Sequence, residues 1–587
     1  MTSYDYGVLV FYFGFMLAIS WVFRRFVANV SDYFRGGGQA LWWLVGGSGF
    51  MLTFSAWTFT GAASKAYTDG WPIILIYLGN IVGFTLNALH FGPRFRQLRI
   101  VTGLQAVRMR FGRVSEQAFM WMQIPFGLLQ AGLWLNSLAV FFSAVFGVDL
   151  TGTIIVTGAT VLLVALLGGS WGVLASDFIQ VLILMPVCLT VAVLSLLKIG
   201  GIGAFVAQAP AGHLDPGQIF SKDFLWLWGA AMILKQICST NNLNDANRYL
   251  CVKDGSHARR AGLFGAALFV IGIGIWFVPP MVAAIRFPDL HGMFPALKNP
   301  AEGAFIAIAR DVMPVGMMGL LLSGIFAATM SSMDSGLNKN AGYFIKNFYQ
   351  PVLRPNAPEA HLLRVSKYTT AVLGTLVIFT ALKMSELKGV SLFKWMQNLS
   401  ILVATPILVP LVLGLLVRRT PPWSAWSTVL VGFVSSLFLG RIFTPEWAVR
   451  VFGVAGPLDA ASRDYWTQSA ELLGNVGIAS AWFLGTAFFW KRTTPAHQAA
   501  VADFFARLNT PVDFAREEGA GSDARQESVV GWLCLAYGSF VMLLALIPNP
   551  TSGRIAFIGC GALVAGVGAL LLAASRRHAA SPSASRR

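Results

Sequence analysis

Two adjacent serines in an apolar run carry the first chemical suggestion. The stretch SGIFAATMSSMDSGLN, Ser323 to Asn338, sets the hydroxyls of Ser331 and Ser332 beside each other, with the backbone carbonyl of Ala328 one helical turn earlier. Oxygens of this kind are what a hard cation takes as ligands. Paired serines in apolar helices also bond back to the preceding turn, so this pattern alone is weak. A second suggestion is Lys235, which opens KQICSTNNLNDANRYL. It lies about eleven residues into an apolar run that begins at Phe224, a rise of about 16 Å, or half of a ~30 Å hydrocarbon core. A lysine at that depth is costly, so it marks a function and requires a partner. Trp57 and Phe59 offer aromatic faces on which a ligand could stack or, equally, core packing.

Other chemistry finds little support. The seven histidines fall in loops or at helix ends without HExxH spacing, which argues against a membrane-embedded enzyme. The five cysteines, Cys188, Cys238, Cys251, Cys534 and Cys560, have neither CxxC nor paired spacing, so no metal site or disulfide framework is expected. A net charge of +17 suggests nucleic acid only when the cations cluster on a soluble face. Here they sit in short segments between apolar runs, and no nucleic-acid partner is expected.

The elements that must position these residues are membrane helices. Hydrophobic residues make up 56% of the 587 and charged residues 12%, with a mean hydropathy of +0.65. That much apolar surface must face a lipid bilayer. The sequence predicts an all-α polytopic protein with about fifteen spans, beginning near Tyr6, Leu41, Trp71, Ser115, Thr151, Gly172, Phe224, Gly262, Ala304, Lys367, Ser391, Ser424, Thr467, Val529 and Arg554. The first ends in Arg24-Arg25 rather than a cleavage site and is expected to be retained.

Cations gather on alternate loops. One set holds Arg24, Arg25 and Arg35, then Arg94 to Arg113, Arg248 to Arg260, Lys346 to Arg364, Arg418 and Arg419, Lys491 and Arg492, and Arg576 to Arg587. The other, residues 147–150, 200–220 and 287–303, is poorer; lysines in Lys383–Lys394 are a mild exception. The positive-inside rule then predicts an outside N-terminus and a cytoplasmic C-terminus, in the plasma membrane or a Gram-negative inner membrane. Residues around Pro445–Asp464 read as an outer loop. The expected divisions are 1–40 (extra helix and linker), 41–200 and 201–420 (two halves of a core), 421–490 (additional helices), 491–528 (a cytoplasmic loop, part helix and part disorder) and 529–587 (C-terminal helices and basic tail).

Two spans carry polar runs that weaken a simple helix: GGSGFMLTFSAWTFTGAASKAYTDG (Gly46–Gly70) and the Lys235–Leu250 segment. They lie five helices apart, the relation expected when each opens one half of an inverted repeat. Irregular backbone inside a membrane survives where it lines a cavity or is buried in protein.

The residues then resemble a known family across about positions 1–510. DYFRGGGQALWWLVGGSGFMLTFSAWTFTG, GGSWGVLASDFIQ, NRYLCVKD (Asn247 replacing a Gln) and AATMSSMDSGLN stand in order like motifs of the sodium:solute symporters, which carry sugars, proline, pantothenate and sialic acid. The resemblance implies a LeuT-like 5+5 inverted-repeat core with one extra helix before it and four after. It implies a sodium site from the carbonyls of Met51, Phe54 and Ala328 and the hydroxyls of Ser331 and Ser332. Asp177 matches an acidic residue at the inner sodium exit or second site, which Ser335 could join; Asp334 stands where many members have a small or neutral residue, and would either add a second-site ligand or pair with a nearby Lys. Sodium is the expected coupling ion and no organic cofactor is implied. The solute-facing set would be Thr53, Trp57, Thr58, Tyr77, Lys235, Cys238 and Gln397. Thr53 replaces an aspartate important in proline carriers, Tyr77 replaces a pocket acid, and Cys238 replaces a tyrosine gate. Lys235 stands where sugar carriers have a neutral polar residue.

A deep lysine without an acid suggests a solute that brings a negative charge, a sugar acid or another hydroxylated carboxylate. The alternative is that Lys235 pairs with Asp334 or lines a wet vestibule, and the solute is a neutral sugar or polyol. Lys65 is expected to snorkel at a helix end.

Overall fold

Apolar runs of this length have one arrangement open to them in lipid, with every backbone group bonded inside its own helix. The computed structural model describes residues 2–23, 36–243, 245–295, 297–386, 391–454, 457–517 and 522–580. Among these no strand forms, apart from one isolated bridge between Ala40 and Val252. Among the described residues twelve helices are long and apolar enough to cross a membrane. Three further passes, Leu150–Leu163 and the two interrupted helices that follow Gln39 and Phe224, complete the expected set of about fifteen. Arg24, Arg25, Arg35, Arg586, Arg587 and part of the 491–528 loop lie outside the described residues.

The first interrupted helix runs Trp42–Leu52, stops, restarts over Ala56–Phe59 and continues as Gly61–Asp69. Thr53 closes the first piece, and Ser55 is extended (φ −155°, ψ 177°), its side chain capping Trp57 N–H. The second runs Leu225–Thr240 and resumes as the 3-10 turn Asp245–Cys251. Trp42–Leu52 packs on Gly255–Arg286, the helix after the second break, while Leu225–Thr240 packs on Ile74–Leu86, the helix after the first. This exchange of partners is what a pseudo-two-fold relation between two halves requires. Small residues allow the crossing: a Cβ at Gly46 would lie 2.7 Å from the Ala261 carbonyl oxygen.

Two departures from the sequence expectation have local causes. The span expected to begin at Ala304 begins at Met317, because Pro314 and Gly316 (φ +89°) interrupt the chain. The preceding helix, Ala304–Val312, is a separate piece with residues 304–309 buried. Lys65 does not snorkel: it pairs with Asp69 at 2.5 Å and lies 5.1 Å from the Tyr465 ring centroid.

At the cation-rich face the near ends of the two interrupted helices are tied together, Ala40 N–H donating to Cys251 O at 2.8 Å. The 491–528 segment, which contains the helix Pro495–Asn509, reaches the same place. Arg99 grips Glu517 through two 2.7 Å bonds, Lys253 pairs with Asp523, and the buried Gln526 bonds both Leu41 N and Gln39 O.

Candidate functional site

The break at Thr53–Ser55 exposes carbonyl oxygens that a continuous helix would have used internally. The helix Met317–Tyr343 crosses it with a polar stripe. Thr329 Oγ1 accepts Ala56 N–H at 2.9 Å and fixes the restart of the broken helix. One turn on, Ser332 Oγ lies within reach of four carbonyl oxygens: Met51 (3.2 Å), Leu52 (3.3 Å), Phe54 (3.0 Å) and Ala328 (3.3 Å). The Met51 carbonyl also takes Phe54 N–H at 3.1 Å and the Ala328 carbonyl lies inside a continuous helix, so the break adds the Leu52 and Phe54 carbonyls to a hydroxyl with one proton to give. An all-oxygen cluster short of protons suits a hard cation. Ser331 Oγ is buried without a hydrogen-bond partner among the described residues.

Beside it Asp177, fully buried, accepts the Ser48 hydroxyl and faces Arg248 Nη2 at 3.8 Å; among the described residues its Oδ1 has no hydrogen-bond partner. Arg248 also donates to Ser335 Oγ. Asp334 accepts from Asn338 Nδ2 at 2.9 Å. The structure therefore brings Asp177 and Ser335 together through Arg248. Ser48, the Leu52 carbonyl and the ion-pairing role of Arg248 were not singled out from sequence. Ser48 stands one turn before Met51, a spacing that would have pointed to it.

A cavity of about 230 Å³ lies between the two breaks. Thr53, Trp57, Lys235, Ser332 and Gln397 line it, and toward the cation-rich face it is bordered by Arg248, Tyr249 and Lys339. Lys235 Nζ donates to Gln397 Oε1 at 2.5 Å, and Gln397 Nε2 contacts Met232 Sδ at 3.0 Å. Among the described residues no carboxylate stands within ion-pair distance of Lys235, so the pairing with Asp334 does not occur here. Toward the cation-poor face the cavity is shut. Trp57 stacks on Phe393 (centroids 6.0 Å apart, planes at 18°) and its Nε1 donates to Leu392 O at 3.3 Å. Tyr77 donates to Thr58 Oγ1 at 3.0 Å, and both are buried outside the lining, as is the half-buried Cys238.

The chain matches the sequence profile of the sodium:solute symporter family over residues 33–432. It belongs to that family. It is 26% identical to sodium/myo-inositol cotransporter 2 of Sus scrofa over 477 residues, covering 74% of this chain and 69% of that one. It is 25% identical to the sodium/sialic acid symporter SiaT of Proteus mirabilis over 448 residues (74% and 88%) and 27% identical to NanT of Aliivibrio fischeri over 458 (74% and 86%). A solved structure of a Na+-coupled sialic acid symporter, substrate-bound and outward-open, matches with TM-score 0.65 at 20% identity, over 84% of this chain and 99% of that one. The fold is thus LeuT-like, and the protein is a sodium-coupled solute symporter rather than an enzyme.

Proposed function

We propose that this symporter carries a hydroxylated carboxylate, with sugar acids as the leading class, together with sodium by alternating access. The observation behind this reading is Lys235, nine-tenths buried at mid-helix and held by an amide rather than a carboxylate. A buried cation without a counter-ion favours a ligand that supplies one. The sialic acid symporters among the relatives carry a solute of that chemistry. Sodium is held by the carbonyls of Met51, Phe54 and Ala328 with Ser331 and Ser332; Asp177, with Ser335 and Asp334, serves a second ion or the exit path. The cation-rich face is cytoplasmic, with the N-terminus outside, so the cavity described here opens inward. A neutral polyol is the second reading, favoured by the myo-inositol relatives.

The deciding experiment is thermal stability of purified protein with sugar acids, neutral sugars, polyols and amino acids, in sodium and in potassium. A sodium-dependent rise in Tm confined to carboxylated sugars is expected, and Lys235→Gln should remove it. A rise with myo-inositol that survives Lys235→Gln would overturn the anion reading and leave the coupling ion standing.

A further inference from the structure

Leu392 is the residue on which the closed end of the cavity hangs. It begins the helix Leu392–Asn398, whose first backbone N–H groups have no partner within the helix. Its carbonyl takes the Trp57 indole. Its N–H is taken by Glu302 Oε1 at 2.8 Å, from the loop of the cation-poor face. Glu302 is 5% exposed and receives one other bond, from Asn299 Nδ2 at 3.4 Å. Five residues further along the same helix stands Gln397, the partner of Lys235. The backbone of one residue therefore joins the outer loop, the broken helix and the segment that touches the solute cavity.

We propose that Glu302 is a positioning residue for transport: by holding Leu392 N–H it keeps the start of this helix packed over Trp57, and its release accompanies opening of the site toward the cation-poor face. Solvent can reach the latch, since a second cavity of about 380 Å³ on that face is lined by Glu302, Asn136, Lys298, Ser391 and Lys394. The cations that face this cavity are engaged elsewhere, Lys298 with Ser385 O and Lys394 with Asp464 at 2.9 Å; the end of Glu359–Glu386 offers Ser385, and Arg113–Phe146 offers Asn136. Burial pushes the Glu302 carboxyl up to about 7. A carboxyl that titrates near 7 when closed, and near its ordinary 4.3 when hydrated, binds its proton more tightly in the closed state. The closed state is therefore firmest at low pH, weakens as pH rises from about 4.5 to 7, and changes little above that.

The test uses the full chain in proteoliposomes, with Ser64→Cys as reporter on Gly61–Asp69, the segment that packs on the gate helix. An impermeant methanethiosulfonate is applied from the cation-poor face in sodium, and labelling of the parent chain is subtracted. Glu302→Gln keeps an acceptor for Leu392 N–H but cannot ionise, so rates are divided by those of Glu302→Gln at the same pH. The ratio of native to Glu302→Gln is expected to rise about tenfold or more between pH 5 and pH 7.5. Glu302→Ala, which strands the N–H, is expected to label faster than Glu302→Gln at every pH. A ratio flat in pH overturns the proposal, as does equal labelling of the Ala and Gln variants. If Glu302→Ala does not fold, the native-to-Gln ratio decides alone.

Discussion

At the residue scale, the proposed sodium site rests on two kinds of oxygen meeting at one point. Ser332→Ala removes the hydroxyl toward which four carbonyls turn. Sodium affinity is expected to fall about tenfold, on the order of 1.4 kcal/mol. Because coupling between two ligands is reciprocal, solute affinity measured in sodium should fall as well. Titration calorimetry of each ligand in the presence of the other checks this; solute binding that is unchanged would remove Ser332 from the site. The hydroxyls were legible in the sequence because Ser331 and Ser332 interrupt an apolar run. The carbonyls were legible only through the family resemblance, since Met51 and Phe54 contribute backbone atoms that every residue type has. Glu302 was not legible at all. Its partner is a peptide N–H 90 positions away, and no residue-type pattern marks such a bond.

At the scale of the element, each break announced itself as a polar run. What the pattern did not reveal was the separate helix Ala304–Val312, because its apolar face merges in sequence with the span that follows. Outside the core, Asp523–Leu543 and Thr551–Ala580 form a hairpin whose backbones nearly touch. A Cβ at Gly561 would lie 2.6 Å from Gly538 O, and one at Gly568 would lie 2.7 Å from Gly531 O. Such approach between helices is the form of packing that small residues permit in lipid. Gly561→Leu is expected to force the pair apart at a cost of about 1–3 kcal/mol. Melting of the purified variant, together with cross-linking across the hairpin, reports it. An unchanged Tm with cross-links intact would contradict the packing.

At the scale of the whole molecule, the segment after Lys491 is a strap rather than a passive loop. It fastens Arg99, Lys253 and Gln39–Leu41, which belong to both halves of the core. The paired guanidinium of Arg99 holds the Glu517 carboxyl below the usual carboxylate range. The attachment is thus present above the ordinary glutamate pKa and is lost as pH falls through the depressed value. Arg99→Ala should loosen Pro495–Asn509 and speed its tryptic cleavage at neutral pH, and in the native chain acidification below about pH 4 should weaken the same contact. Hydrogen exchange on that helix measures both; identical protection with and without Arg99 would show the grip to be incidental. One further consequence is electrical. Where Lys235 is protonated in the empty carrier, its charge is answered among the described residues by the Gln397 amide. A monoanionic solute would cancel it, so the loaded carrier would cross the membrane field bearing the charge of its sodium ions alone, while the empty one would return with its lysine unbalanced. Membrane voltage would then act on the return stroke even when uptake itself moves no net charge.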